Sequence, residues 1–313
     1  MREGHEGSRA AGDALEPMSA NPQFDEASPL PWRAELALVA RRFNAWWEGY
    51  AFDPKSERAT LVEEIQSETL GDRPPEIDVA MSIWGEGRLD PGDPAWTMRH
   101  ARSLGAPLKS DVVVLGAAAG APMRDLKNGT RWKLSGYSRL NEKVKGLDLL
   151  PYEAALTRIN RASADAGLCF FELHRDADPA MIALFAAELV KPNAPFAFAD
   201  FAAARKGARL RSCFAEPWGG SVKHADQLGE LVGNSGFRVV DIVDETRAFL
   251  PLVSRGWSRW RSAYVRARQF RDPRQRAQYA TTLSRYAHLW AERFDAIKAG
   301  QLQVVRIQAR KKG

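Results

Sequence analysis

Apolar residues follow two different spacings along the chain. Near the N-terminus they recur every third or fourth position, which is typical of a helix with one apolar face; these residues are Leu36, Val39, Phe43, Trp46, Trp47 and Tyr50. A second helix is predicted over Ser56–Leu70, before the prolines at 74 and 75. From Ser110 onward, short continuous apolar runs alternate with helical spacing. That alternation predicts a parallel sheet with helices on both faces.

Several strands and helices can be assigned from these runs. The predicted strands are Val112–Leu115, Trp132–Tyr137, Leu168–Leu173, Pro195–Phe201, Phe237–Val243 and an alternating segment over Val305–Ala309. Helices are predicted over Asp178–Val190 and Gln227–Asn234, and helical spacing from Tyr279 to Ile297 ends at Gly300. Sheets of this kind bind ligands at the carboxyl ends of their strands.

Composition narrows the class of protein. Hydrophobic residues make up 45% of the 313 residues, enough for a substantial core. We see neither an apolar run of about 18 residues nor a signal peptide, so no transmembrane segment is expected. The two cysteines, Cys169 and Cys213, are too few for a disulfide framework. We therefore expect a cytoplasmic protein.

The net charge of +6 is concentrated in one segment. Arg255–Arg276 holds eight arginines and a single acid, Asp272, together with four aromatic residues. Two interpretations stay open: a patch for phosphate, lipid headgroups or nucleic acid, or an amphipathic helix with its aromatic residues inward and its arginines in solvent. For the chain as a whole we do not expect nucleic acid as a partner.

Most motifs that carry catalysis are missing from the sequence. The five histidines and two cysteines do not have the spacing of metal ligands, so no metal is predicted. The nucleophile motif Gly-x-Ser-x-Gly and the phosphate loop that ends in Gly-Lys-Ser/Thr do not occur either. What does stand out is Val112–Pro122, VVVLGAAAGAP, in which an apolar strand enters a turn of small residues. Glycines in such a turn allow the backbone to approach a nucleotide closely.

Four motifs in order give the chain a family resemblance, from about Ile83 to the C-terminus. They are Trp84-Gly85-Glu86-Gly87 with Pro91-Gly92, the turn Val113–Gly120, the segment Glu188–Ala194 before a strand, and Gly236–Val243 followed by a long helix and a last strand. With these motifs the chain resembles the class I S-adenosylmethionine-dependent methyltransferases, in particular the small-molecule and phosphoethanolamine N-methyltransferases.

The resemblance implies a fold and a division of the chain. The fold is a doubly wound, mostly parallel seven-stranded sheet of the Rossmann-like methyltransferase type, with N-terminal helices and a helical cap. We expect a disordered tail over 1–30, a helical segment over 31–108, and a methyltransferase-like domain over 109–313. Cap insertions are expected at about 202–235 and 246–300.

The resemblance also implies site residues. S-adenosylmethionine would be held by Trp84, Gly116, Ala118, Gly120, Ser138 and Glu172, and His174 would be the catalytic residue. Three positions depart from the family pattern. Val114 stands where an acid precedes the turn, Ala118 replaces the central glycine, and Ser138 replaces the carboxylate that accepts hydrogen bonds from the ribose.

Two hypotheses about function follow. In the first, the chain is an active methyltransferase whose substrate is a small molecule or a lipid headgroup. In the second, it is a catalytically inactive pseudo-methyltransferase that binds or scaffolds a partner, such as an active methyltransferase paralogue or a second copy of itself. The altered turn favours the second hypothesis.

Overall fold

A computed structural model describes residues 53–58, 75–140, 144–152, 161–176, 178–205, 210 and 222–313. The chain divides into two compact units, 1–72 and 73–313, and the description below concerns the second. The predicted tail over 1–30 and nearly all of the two helices predicted before residue 72 lie outside the described residues.

Seven strands form one sheet. They are β1 (Asp111–Leu115), β2 (Lys133–Ser138), β3 (Leu149–Pro151), β4 (Ala166–Phe170), β5 (Pro195–Ala203), β6 (Phe237–Asp244) and β7 (Leu302–Lys311). Their order is β3-β2-β1-β4-β5-β7-β6. The pairs among β1 to β5 are parallel, and β7 runs antiparallel to both of its neighbours. The predicted Rossmann-like methyltransferase fold is confirmed.

Eight helices flank the sheet among the described residues of this unit. They are α1 (Pro75–Trp84), α2 (Pro94–Ser103), α3 (Ala121–Gly129), α4 (Pro179–Leu189), α5 (Ala225–Asn234), α6 (Thr246–Trp257), α7 (Trp260–Gln269) and α8 (Pro273–Lys298). Side chains cap several of these helices: Asp93, Asp178 and Asp272 each accept a hydrogen bond from a backbone N–H of the first turn.

Each face of the sheet has its own core. Val112 and Val114 of β1 pack into one core with α1, α2, α3 and the helices α6 to α8. Val113 and Leu115 point the other way, into a core that includes α4 and α5. This alternation explains why β1 reads as an uninterrupted apolar run, since both of its faces are covered. The helices described within the two expected cap segments therefore contribute to the layers on the sheet.

The structure shifts some predicted boundaries. The strand predicted over Leu168–Leu173 ends at Phe170, and Leu173–Arg175 forms a short 3-10 helix instead. β3 was not predicted, because three residues are too few to give a periodic pattern. The basic segment Arg255–Arg276 is not one helix, since breaks after Trp257 and Gln269 divide it among α6, α7 and α8.

Candidate functional site

The turn between β1 and α3 keeps the backbone shape that the family resemblance implies. Gly116, Ala118 and Gly120 all have positive φ angles, of 67°, 50° and 94°. A glycine adopts this left-handed conformation without strain, whereas an alanine does so at a cost of about 1–2 kcal/mol. Ala118 therefore holds a glycine-like conformation under strain.

Atoms of neighbouring segments lie close to the two glycines of the turn. A Cβ placed on Gly116 would lie 2.1 Å from the carbonyl oxygen of Phe170 and 2.8 Å from Cγ of Glu172. A Cβ on Gly120 would lie 2.8 Å from Cδ1 of Leu147. The space that a side chain would need at these two glycines is therefore taken by other residues of the protein. The presence of glycine at these positions does not indicate a space for a ligand.

Ser138 lies at the end of β2, where the resemblance puts the ribose carboxylate. Its side chain is buried and its hydroxyl donates to the carbonyl oxygen of Ala118 at 2.8 Å. The same hydroxyl accepts a hydrogen bond from the backbone N–H of Leu140 at 3.1 Å. Ser138 therefore ties the end of β2 to the turn, with its hydroxyl engaged on both sides.

Arg139, the next residue, bridges two carboxylates over the turn. Its Nε donates to Glu172 Oε2 at 2.6 Å, and one of its terminal nitrogens donates to Asp176 Oδ2 at 2.8 Å. Its guanidinium lies 5.9 Å from the ring centre of Tyr152, whose hydroxyl accepts a hydrogen bond from the N–H of Gly116 at 3.0 Å. We call Arg139, Tyr152, Glu172 and Asp176 the internal plug.

Burial sets the protonation of the plug. Desolvation raises the pKa of Glu172 to about 7, against the opposing charges of Arg139 and Arg175. Burial also raises the pKa of Tyr152 well above its usual value, and the nearby charge of Glu172 adds to this effect. Tyr152 therefore stays protonated near neutral pH and keeps its hydrogen bond with Gly116.

A small cavity remains between the turn and the segment that joins α1 to α2. It is lined on one side by Arg88, Asp90 and Trp96, and on the other by Ala118 and Phe171. Its volume of about 30 Å³ is room for about two water molecules. Phe171 has a φ of 54°, so two walls of the cavity come from residues in a left-handed conformation.

Trp84 lies apart from this cavity. It packs 4.7 Å from the ring of Trp290 and 6.2 Å from that of Trp257, and its Nε1 donates to the hydroxyl of Tyr286 at 2.6 Å. Gly116 and Ala118 line the cavity, and Ser138 and Glu172 contact the turn around it. Five of the six expected cofactor residues, namely Gly116, Ala118, Gly120, Ser138 and Glu172, therefore lie in or next to the turn. The sixth, Trp84, packs among the helices.

His174 forms a buried pair with Asp200. Its Nδ1 lies 2.6 Å from Asp200 Oδ1, and Asp200 also accepts backbone hydrogen bonds from Leu173 and Phe201, both at 2.7 Å. Because the carboxylate accepts, Nδ1 carries the proton and Nε2 is left with its lone pair, without a partner among the described residues. Burial lowers the pKa of His174, and the charge of Asp200 opposes this shift.

The surroundings of His174 separate it from the turn. The rings of Phe171 and Phe201 lie 6.5 and 5.0 Å from the imidazole. A neutral histidine held by a carboxylate can accept a proton at Nε2, but here that atom is buried within the protein.

Sequence reasoning missed four residues that shape this site. Arg139, Tyr152 and Asp176 complete the plug, and Phe171 forms a wall of the cavity. The available signal was the position of Arg139, which directly follows Ser138 at the end of a predicted strand. Among the described residues, no cluster of histidine, cysteine or carboxylate side chains could hold a metal ion.

No protein-family model and no curated protein sequence matches this chain. Solved structures do match its fold. Phosphoethanolamine N-methyltransferase 2 of Haemonchus contortus, in complex with S-adenosyl-L-methionine, aligns with a TM-score of 0.60 and 14% identity, over 76% of this chain and 57% of that chain. This chain therefore spans little more than half the length of that enzyme.

Two other solved structures have the same fold. A cyclopropane synthase from Mycobacterium tuberculosis aligns with a TM-score of 0.57 and 14% identity, over 72% of this chain and 86% of that one. The cyclase SpnF aligns with a TM-score of 0.54 and 15% identity, over 79% and 96%. A methyltransferase, a synthase and a cyclase thus share this architecture, so the fold alone does not define the reaction.

Among the described residues, those around the turn do not fit S-adenosylmethionine. A cavity for about two water molecules is far below the several hundred Å³ of a typical ligand pocket. The carboxylate that would bind the ribose is a serine already engaged with Ala118 and Leu140. Arg139 and Tyr152 of the plug already contact Glu172 and Gly116 at this turn.

Proposed function

We propose that this chain is a pseudo-methyltransferase, which has the methyltransferase fold and acts as a binding or scaffolding partner. The observation that carries the proposal is the internal plug, in which Tyr152 accepts a hydrogen bond from the N–H of Gly116 and Arg139 pairs with Glu172 beside it. The partner that we favour is an active methyltransferase paralogue or a second copy of this chain, and we keep the cytoplasm as the expected location.

The energetics of the plug support a permanently closed site. Arg139 donates charge-assisted hydrogen bonds to two carboxylates, one of them fully buried. Removing the guanidinium would leave Glu172 buried and unpaired, a change that typically costs about 3–5 kcal/mol. A cofactor would have to displace this arrangement and would gain only a neutral hydrogen bond from Ser138 in return.

The second candidate is methyl transfer to a small molecule or a lipid headgroup. The buried pair of His174 and Asp200 supports it, because a neutral imidazole with a free Nε2 lone pair can accept a proton from a substrate. This function requires a path to Nε2 of His174 to open, since that atom is buried in the described structure.

Titration calorimetry of the full chain with S-adenosylmethionine and S-adenosylhomocysteine separates the two candidates. We expect no heat and no thermal stabilisation with millimolar ligand. Micromolar binding by the unaltered chain would overturn the proposal and support the enzyme.

A double variant tests whether the plug is what closes the site. Arg139→Ala with Glu172→Gln removes both charges without leaving one of them buried alone, and we expect it to gain measurable binding of S-adenosylhomocysteine. Arg131→Ala, which removes an exposed arginine just before β2, is the matched control and should not bind.

A further inference from the structure

Helix α7 presents a basic face to solvent. Arg261, Tyr264, Val265 and Arg268 recur at helical spacing within an arc of about 100°, and all four are exposed. The opposite side of the helix buries Ala263 and Ala267 in the core. The apolar side of α7 is therefore already covered by its own domain, and the basic side has no partner among the residues that the structure describes.

The arginines of this face are not neutralised within the described structure. No ion pair joins Arg261, Arg268 or Arg271 to a carboxylate of the described residues, whereas Arg255 and Arg266 pair with Asp93 and Asp78. Arg259 and Arg271 are also exposed at the two ends of α7. The face and the C-terminal end of α7 thus carry three arginines, since the guanidinium of Arg259 lies beside Gly85, and the segment from 255 to 271 contains no acid.

The two uncharged residues of the face indicate which anionic partner it fits. Val265 is 53% exposed, and an aliphatic side chain between arginines gains from the boundary between headgroups and acyl chains. Tyr264 is 51% exposed, but the guanidinium of Arg268 lies 5.0 Å over its ring and occupies the surface on which a nucleic-acid base would stack. A bilayer fits both features better than a single-stranded nucleic acid does.

We propose that the face of α7 formed by Arg261, Tyr264, Val265 and Arg268 docks the protein onto bilayers that contain anionic phospholipids. The arginines bind the headgroup phosphates and Val265 enters the interface. Attraction to anionic leaflets accumulates with each basic residue near the surface, so Arg261, Arg268 and Arg271 together support reversible binding. The proposal does not depend on the cofactor site and stands whether or not the chain binds S-adenosylmethionine.

Co-sedimentation of the full chain with vesicles tests the proposal. We expect binding to vesicles of phosphatidylcholine with phosphatidylserine, weak binding to phosphatidylcholine alone, and a decrease at high salt. Arg261→Glu with Arg268→Glu should weaken binding to the anionic vesicles by about tenfold or more. Val265→Ser should weaken it by about threefold and leave the salt dependence unchanged.

Matched variants make the result specific to this face. Arg102→Glu with Arg238→Glu makes the same change in net charge at exposed positions on α2 and β6, and should bind like the unaltered chain. Equal loss in this control, or equal binding to both kinds of vesicle, would overturn the proposal. Tighter binding to a single-stranded thymidine oligonucleotide than to anionic vesicles, abolished by the α7 variants, would also overturn it and assign the face to nucleic acid.

Discussion

Ala118 and Phe171 show that residues other than glycine adopt the left-handed backbone conformation at this site. Both have positive φ angles and both line the cavity. The sequence shows that alanine replaces glycine in the turn, but it does not show whether the turn then changes shape. Here the surrounding hydrogen bonds, including that from Ser138 to Ala118, fix the strained conformation.

Ala118→Gly should stabilise the protein by about 0.5–1 kcal/mol, because relief of the left-handed strain exceeds the added entropy of the unfolded chain. Urea unfolding measures the change. Ala119→Gly is the control in the same turn. Ala119 is also buried but does not have a positive φ, and its replacement should destabilise by about 0.5–1 kcal/mol. Destabilisation by both variants would contradict the strain at Ala118.

Glu172 should make the protein less stable as pH rises from about 4.5 to 7. Its pKa is about 7 in the folded protein, against an ordinary value of 4.5 for a glutamate, so in this window the unfolded chain loses the proton first and unfolding becomes easier. Glu172→Gln should remove this dependence, which has an upper limit of about 3 kcal/mol. Urea unfolding at the two ends of the window measures it.

The variant must be compared with the unaltered chain, because buried histidines titrate in the same window with the opposite sign. Burial lowers the pKa of His100 to about 4 and also lowers that of His174. As pH rises towards the pKa of these histidines in the unfolded chain, the two residues therefore increase the free energy of unfolding. Parallel pH profiles for Glu172→Gln and the unaltered chain would show that Glu172 is ionised throughout.

At the scale of elements, the strands that form the site could be predicted from the sequence, whereas the side-chain contacts between them could not. β2 ends at Ser138, one residue after its predicted end. The plug, however, joins Arg139 to Glu172 and Asp176, which lie 33 and 37 positions away. Apolar periodicity reports which face of an element is buried, and it carries no information about which distant polar side chains will pair.

The helices that pack against Trp84 give a test at this scale. Gly256→Ala in α6 would place a methyl group 1.9 Å from Cζ3 of Trp84, so we expect a loss of about 2 kcal/mol or more in stability. Gly233→Ala in α5 would meet no atom within 4 Å and should stabilise by up to about 1 kcal/mol. Thermal unfolding of the two variants should move in opposite directions; a neutral Gly256→Ala would show that α6 and α1 do not pack this closely.

For the whole molecule, the sequence predicted the fold class and most of the sheet. The runs of β1, β4 and β5 are covered on both faces, and such runs are recognisable without a structure. The position of β7 between β5 and β6 was not predicted, because periodicity identifies a strand but not its neighbours in the sheet. The division of the basic segment among three helices was not predicted, because Arg, Ala and Trp suit helices and the breaks depend on packing.

Residues 73–313 should unfold in a single transition, because one core joins the sheet to the helices α6 to α8. Trp290 is fully buried there, 6.1 Å from the ring of Phe201 in β5. Trp290→Ala should cost about 3–5 kcal/mol and lower the midpoints measured by circular dichroism and tryptophan fluorescence together. Trp132→Ala, at a half-buried position, should cost less. Separate midpoints would show that the helices unfold independently.

The central place of β7 in the sheet has a consequence for biosynthesis. β7 is the last strand to leave the ribosome, yet it separates β5 from β6, and 57 residues lie between the end of β6 and its start. Until it arrives, β5 and β6 each expose an unpaired edge that can pair with another chain. The nascent protein therefore completes its sheet only after synthesis reaches residue 311, and the waiting chain is the form most exposed to aggregation and most in need of a chaperone.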